Sequence, residues 1–354
     1  MARLSQQRAV NVLISFALEP ELVEQVQAVD PRVRVRVLGQ NVRQLFRGEK
    51  RYPSELEAQT ARQELEDAMA EAEVLFGFWG PGLVEMFPTL DTLSENAPKL
   101  RWLQLTSAGV DRAARSGLLE SDLLITSASG LHATPIGEYV LALMLMFCKG
   151  AHRFVRAQQQ REWIRYMPDE LYGKTVGIVG AGHIGAEVGR LSRAFGCRVI
   201  GIRRSAAKRT LDEHGGELLP PSELPYLLSE SDFVVLAVPL TNETRGLIGE
   251  AELKQMKPSA VLINIARGGV LDEEALIRAL KDGTIAGAGL DVFSQEPLPP
   301  DSELWGLESV IMSPHISGGT VIYNQRATAI FCENLRRYLA NEPLTNLADA
   351  ERGY

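Results

Sequence analysis

Thr175-Val176-Gly177-Ile178-Val179 runs directly into Gly180-Ala181-Gly182-His183-Ile184-Gly185, and a helical pattern over residues 186–195 follows. A short β-branched run, three glycines spaced G-x-G-x-x-G and a helix-period stretch describe a strand, a tight turn and the start of a helix. Gly180 permits the turn, Gly182 lets an anion approach the backbone, and Gly185 lets the helix press on the strand while its N-terminus faces the anion. A turn that was merely glycine-rich would need neither the strand before it nor the helix after it. The stretch therefore predicts a dinucleotide pyrophosphate site, with His183 and Ile184 in the first helical turn.

The same alternation extends outward from this point, as in parallel βαβ units. On the C-terminal side, residues 198–202, 233–237, 260–265, 286–290 and 309–312 read as strands, with helices such as 272–280 between them. On the N-terminal side, residues 9–14, 33–37, 74–76, 100–104 and 123–125 read as a second strand series, with an exposed helix over 55–71. One helical stretch, 135–160, bridges the two series; another, 320–339, has no strand left to serve in the later series and returns to the first. The expected fold class is α/β with two doubly wound parallel-sheet domains. A Rossmann cofactor domain, residues 129–319, is inserted in a flavodoxin-like substrate domain of residues 1–128 and 320–354, with the active site expected in the cleft between them.

Composition fits a chain with two cores and argues against several kinds of partner. A length of 354 residues with 45% hydrophobic residues supports two cores. A formal charge of -8 argues against nucleic acid or an anionic membrane as partner, so any anion site has to be built locally. Cys148, Cys197 and Cys332 are widely spaced, which suggests neither a disulfide framework nor a metal site. The first thirty residues lack a signal-peptide pattern, and the apolar run 139–148 is too short to span a bilayer, so a cytoplasmic location is expected.

A dinucleotide fold that prefers NAD places an acid near the end of its second strand to hold the ribose 2′-hydroxyl. Here Gly201-Ile202-Arg203-Arg204-Ser205 occupies that place, and no Asp or Glu occurs between Leu191 and Leu211. Two guanidiniums and a hydroxyl suit the extra phosphate of NADP(H), with NAD as a possible second cofactor. The plainer alternative is that Arg203 and Arg204 are solvated loop charges.

Three polar residues follow successive strands of the second series: Arg267 after Leu262-Ile263-Asn264-Ile265-Ala266, Glu296 after Gly289-Leu290-Asp291-Val292-Phe293, and His315 after Ile311-Met312-Ser313-Pro314. Carboxyl ends of strands are where such sheets bind ligands. Moving a hydride to a ketone needs a cation to polarise the carbonyl and hold an acid group, and a proton donor for the oxygen. Arginine and histidine are suitable types, and a nearby carboxylate would favour the protonated imidazole and fix its ring. Singly, each residue could be a surface ion pair, a structural histidine or an ordinary Glu-Pro turn.

The order and spacing of these motifs, together with Asn264-Ile265-Ala266-Arg267-Gly268-Gly269 and Pro314-His315-Ile316-Ser317-Gly318-Gly319, resemble the D-isomer-specific 2-hydroxyacid dehydrogenases over nearly the whole chain, and in particular their glyoxylate/hydroxypyruvate reductase-like members. The resemblance implies hydride transfer between NAD(P)H and a small, D-configured 2-keto/2-hydroxy acid. It assigns substrate binding to Arg267, support of the histidine to Glu296, acid/base work to His315 and a nicotinamide carboxamide contact to Asp291. Val238, Pro239, Thr244, Ile265, Ala266 and Gly318 join the implied cofactor site. Ser107-Ala108-Gly109 would offer backbone N–H groups to the substrate carboxylate, and Phe78-Trp79 would line the opposite pocket wall. Relatives are homodimers, and Trp163 would then either reach the partner's site or simply pack at the interface.

Two other readings stay open: a cofactor-sensing, corepressor-like interaction protein, and a short phosphoglycerate dehydrogenase. The 39 residues after His315 leave no room for the regulatory domain common in phosphoglycerate-oxidising members. The segment 45–71, including Arg47-Gly48-Glu49-Lys50-Arg51, is longer than the family's usual connection and reads as solvated loop and helix.

Overall fold

The computed structural model describes residues 8–46, 54–212 and 215–349, so Arg47 to Arg51 lie outside the described residues. The chain forms two compact units, Met1–Leu131 with Val321–Tyr354, and His132–Thr320.

In the first unit, β1 (Val10–Ile14), β2 (Val33–Val37), β3 (Val74–Gly77), β4 (Trp102–Leu105) and β5 (Leu124–Thr126) form a parallel sheet in the order β2-β1-β3-β4-β5. β3 and β4 are buried along their whole length, as strands covered on both faces must be. Because successive side chains alternate across the sheet, Leu13, Leu75 and Leu103 pack with Leu65, Met69 and Leu83 in one core. Val12, Ile14, Phe76 and Trp102 pack in another with Phe331 and Leu335 from the helix Tyr323–Ala340. Phe331 stacks on Phe76 with ring centroids 4.2 Å apart, so the C-terminal helix belongs to this unit. On the outermost strand, β2, exposed Arg34 and Arg36 alternate with Val33, Val35 and Val37.

The second unit contains β6 (Thr175–Val179), β7 (Arg198–Ile202), β8 (Thr210–Leu211), β9 (Glu217–Leu219), β10 (Phe233–Leu236), β11 (Val261–Asn264), β12 (Gly287–Leu290) and β13 (Val310–Met312). Their order is β13-β12-β11-β10-β6-β7-β9-β8, parallel except for the β8–β9 pair. The winding reverses at β6, flanked by β7 on one side and β10 on the other, which puts the topological switch point at the glycine turn. The α/β, doubly wound architecture expected from the sequence is therefore present in both sheets.

Two local features differ from the sequence reading. β8 and β9 extend the sheet beyond the six strands expected. The stretch 135–160 is not one helix but two, Ala133–Lys149 and Ala151–Gln160, because Gly150 adopts φ 65 and ψ 34 between them. The Tyr166 hydroxyl donates to the Lys149 carbonyl at 2.7 Å, satisfying an acceptor that the break releases, and lies 3.1 Å from the Gly150 carbonyl. The first helix buries Ile136, Val140, Leu143 and Met144 against Val176, Ile178, Val235 and Ile263 of the sheet.

Candidate active site

The glycine turn has the geometry its spacing predicts. Gly180 sits at φ 108, and a Cβ there would lie 2.7 Å from the Ala237 carbonyl; a Cβ on Gly185 would lie 2.2 Å from the Gly180 carbonyl oxygen. Strand, turn and helix can approach this closely only with glycine at both positions. The space beside Gly182 is open, and Gly182 is the N-cap of the helix His183–Ala194, whose first N–H groups have no intrahelical acceptor. His183 is exposed and Ile184 half-buried at that terminus. An open cradle over a helix N-terminus fits a pyrophosphate.

Beyond β7, the Arg203 N–H donates to Leu219 O at 3.1 Å and Ala206 N–H to Arg203 O at 3.0 Å, forming a turn with Arg203, Arg204 and Ser205 exposed. Leu219 belongs to β9, so the additional strand anchors this turn. Beyond β10, Val238 is half-buried and Pro239 exposed, and the Thr244 hydroxyl donates to Pro239 O at 2.6 Å while accepting from Thr241 N at 2.8 Å. Thr244 therefore shapes that loop.

β11, β12 and β13 are neighbours in the sheet and deliver the three polar residues at their carboxyl ends. After β11, Asn264 Oδ1 accepts from Ala266 N at 3.1 Å and its Nδ2 donates to Arg267 O at 3.2 Å, tying down the turn that carries Arg267. Ile265 and Ala266 are buried. Gly268 presses on β12's outlet so closely that a Cβ would lie 1.9 Å from the Phe293 carbonyl. Arg267 Nη1 donates to Ala266 O at 2.8 Å.

His315 Nδ1 lies 2.8 Å from Glu296 Oε2, with the two side chains 48% and 37% exposed, so the pair is open to a ligand. Glu296 is steadied by Phe293 N–H, which donates to its Oε1 at 3.1 Å. Asp291 is fully buried; its Oδ1 accepts from Ile316 N at 2.8 Å and Ser313 Oγ at 2.6 Å, and its Oδ2 from Ser317 N at 2.9 Å. Three residues that sequence reasoning missed join here: Tyr139 donates to Ser313 Oγ, and His132 Nδ1 lies 3.1 Å from Gly318 O. A tyrosine within an apolar helix needs a partner for its hydroxyl, which is the one signal that could have flagged Tyr139.

In the other unit, Ser107 Oγ donates to Gly109 O at 2.7 Å and Ala128 N–H to Ser107 O at 2.9 Å, with Ala108 half-buried in the folded loop. Tyr323 donates to Thr106 O at the base of the same loop. Trp79 is only 3% exposed, and its indole N–H is buried without a hydrogen-bond partner among the described residues. Phe78 is half-buried beside it.

Known proteins match this arrangement. Residues 141–317 match the family model of the D-isomer specific 2-hydroxyacid dehydrogenase, NAD binding domain. A glyoxylate reductase of Korarchaeum cryptofilum is 39% identical over 266 residues, covering 73% of this chain and 78% of that protein. A D-isomer specific 2-hydroxyacid dehydrogenase from Xanthobacter autotrophicus, solved with NADPH and MES, superposes with TM-score 0.77 at 28% identity over 98% of this chain and all of that one. An NADPH-dependent glyoxylate/hydroxypyruvate reductase from Sinorhizobium meliloti, solved with NADP and sulfate, gives TM-score 0.75 at 26% identity with the same coverage. The chain belongs to the D-isomer specific 2-hydroxyacid dehydrogenases, NAD(P)-dependent oxidoreductases.

Proposed function

We propose that this dehydrogenase reduces a small 2-keto acid, of the size of glyoxylate or hydroxypyruvate, to the D-2-hydroxy acid with NADPH as preferred cofactor and NADH as a possible second. The observation that carries the reading is the His315–Glu296 pair, 2.8 Å apart on the sheet edge shared with Arg267. When bound, the reduced nicotinamide supplies the hydride. Arg267 holds the substrate carboxylate and polarises the carbonyl, a task suited to a planar guanidinium. His315 gives the carbonyl oxygen its proton from Nε2, because Nδ1 is turned to Glu296. Glu296 fixes the orientation of the ring.

The residue 1–128 and 320–354 portion acts as substrate domain and 129–319 as cofactor domain. In the former, the N–H groups of the Ser107-Ala108-Gly109 loop receive the carboxylate, and Trp79 shapes the acyl pocket from within its core. In the latter, Gly180, Gly182, His183, Ile184 and Gly185 cradle the pyrophosphate, Arg203, Arg204 and Ser205 hold the 2′-phosphate, and Val238, Pro239, Thr244, Ile265, Ala266 and Gly318 line the remaining cofactor. Asp291 would meet the carboxamide in addition to the hydrogen bonds it already accepts.

Exposed Phe154, Val155, Trp163, Ile164, Met167 and Tyr172, all within 154–172, support a homodimer that involves this segment, because large apolar side chains left exposed favour being covered. Trp163, 89% exposed, is one of the side chains that such a partner would cover. A cytoplasmic setting supplies the nicotinamide cofactor. Steady-state assay of a keto-acid panel with NADPH and NADH tests the reading. Reduction of glyoxylate or hydroxypyruvate at higher kcat/KM with NADPH is expected, and NADPH binding without turnover of any keto acid would overturn it.

A further inference from the structure

His315 adopts φ 54, a left-handed conformation that residues bearing a side chain rarely take. The turn around it is held by one buried carboxylate and one helix. Asp291 accepts hydrogen bonds on every side of the turn: its backbone oxygen from His315 N at 2.8 Å, Oδ1 from Ile316 N at 2.8 Å and Oδ2 from Ser317 N at 2.9 Å. Ser313, two residues before His315, donates to Asp291 Oδ1 at 2.6 Å and accepts from the Tyr139 hydroxyl. Beyond His315, Gly318 O lies 3.1 Å from His132 Nδ1. Tyr139 and His132 are seven positions apart, nearly two turns, at the same face and N-terminal end of the helix Ala133–Lys149. One helix face thus grips the His315 loop at both ends, and Asp291 fills its middle.

We propose that Tyr139, Ser313 and Asp291 form a positioning chain through which the helix Ala133–Lys149 holds His315 at the angle needed for proton transfer. The proposal rests on the reading of His315 as the proton donor. None of the three has to touch the substrate. Their effect passes through the backbone of residues 313–317, which sets where the imidazole stands relative to Glu296. The Ser313 hydroxyl is the narrowest link, since among the described residues it is the group that joins Tyr139 to Asp291, and it has a single proton, which it gives to the carboxylate.

The test combines Ser313→Ala and Ser313→Thr with His315→Gln. Against the wild-type background, Ser313→Ala should lower kcat for keto-acid reduction by about tenfold or more, while the keto-acid KM and the NADPH Kd stay within about threefold. Ser313→Thr keeps the hydroxyl and should restore most of the rate. Tyr139→Phe, which removes only the far hydroxyl and keeps the ring packed, should show a smaller loss of the same kind. In the His315→Gln background, Ser313→Ala should add less than about a twofold loss, because residues acting through one group are non-additive. An equal loss in both backgrounds, a rise in NADPH Kd matching the fall in kcat, or an unchanged kcat would each overturn the proposal. If His315→Gln alone reduced keto acids within a few-fold of wild type, the assignment of His315 would fail first, and the experiment would show that separately.

Discussion

The imidazole of His315 turns Nδ1 toward Glu296 Oε2 at 2.8 Å, which leaves Nε2 as the nitrogen able to pass a proton to a ligand. His315→Gln keeps a polar group of similar reach but cannot cycle a proton, so kcat for reduction should fall about 100-fold or more. Glu296→Gln retains a neutral contact and should cost less, roughly tenfold, since it loosens rather than removes the donor. Stopped-flow or steady-state NADPH oxidation measures both; a His315→Gln variant as fast as wild type would remove the assignment.

Arg267 is held by its own backbone, with Nη1 on Ala266 O at 2.8 Å and the turn fixed by Asn264. Lysine offers a point charge and no planar fork. Arg267→Lys should therefore lower kcat/KM for keto acids by about tenfold to a hundredfold while NADPH affinity stays within a few-fold. Fluorescence titration of NADPH beside keto-acid kinetics separates the two, and lost cofactor affinity with normal keto-acid kinetics would move Arg267 into the cofactor site.

Arg203 begins the turn that β9 anchors through Leu219 O. Exchanging it for a carboxylate places a repelling charge where the 2′-phosphate would sit, so Arg203→Asp should reduce the NADPH:NADH ratio of kcat/KM by about tenfold to a hundredfold. Arg204→Ala should move it less. A ratio unaffected by both changes would leave the two arginines as solvated loop charges.

Burial holds His132 below the ordinary histidine value of 6.5; the Gly318 carbonyl opposes that shift and the Arg267 charge adds to it. The folded protein therefore keeps this ring neutral at a pH where the unfolded chain has begun to protonate it. Stability should fall as pH drops through about 6.5 and level off below the folded-state value. His152 is lowered in the same direction, chiefly by burial, so the wild-type slope contains both. His132→Gln should show a smaller drop in Tm between about pH 7.5 and about pH 5.5 than wild type. An equal drop would exclude His132 from the linkage.

Much of the fold was legible because its decisive elements repeat a period. Val176, Ile178, Val234 and Leu262 lie on strands buried on both faces, and such strands read as unbroken apolar runs. Glu217-Leu218-Leu219 escaped notice because three residues of mixed polarity after two glycines carry no period. The break at Gly150 was hidden because a glycine within a helical pattern is ordinarily tolerated; its left-handed backbone packs against Tyr166, remote in sequence. At the site, residue types and strand ends indicated Arg267, Glu296 and His315. The pairing of His315 with Glu296 is expected from residue type and family resemblance and is present at 2.8 Å; the convergence of Tyr139, Ser313 and His132 on one loop is a product of elements meeting in space, and no local spacing encodes it.

The arginines of β2 also affect how the protein behaves in concentrated solution. An outer parallel strand presents unpaired N–H and C=O groups to any extended chain that approaches it. Arg34 and Arg36 stand exposed along that rim, and docking a second strand there would strip water from two like charges. Replacing both with valine would leave Val33 to Val37 as five consecutive valines, the composition that favours intermolecular sheet growth. Such a variant should scatter light and precipitate on warming well before its active site fails, with specific activity of the remaining soluble fraction unchanged. Equal turbidity onset in variant and wild type would show that these charges do not guard the rim.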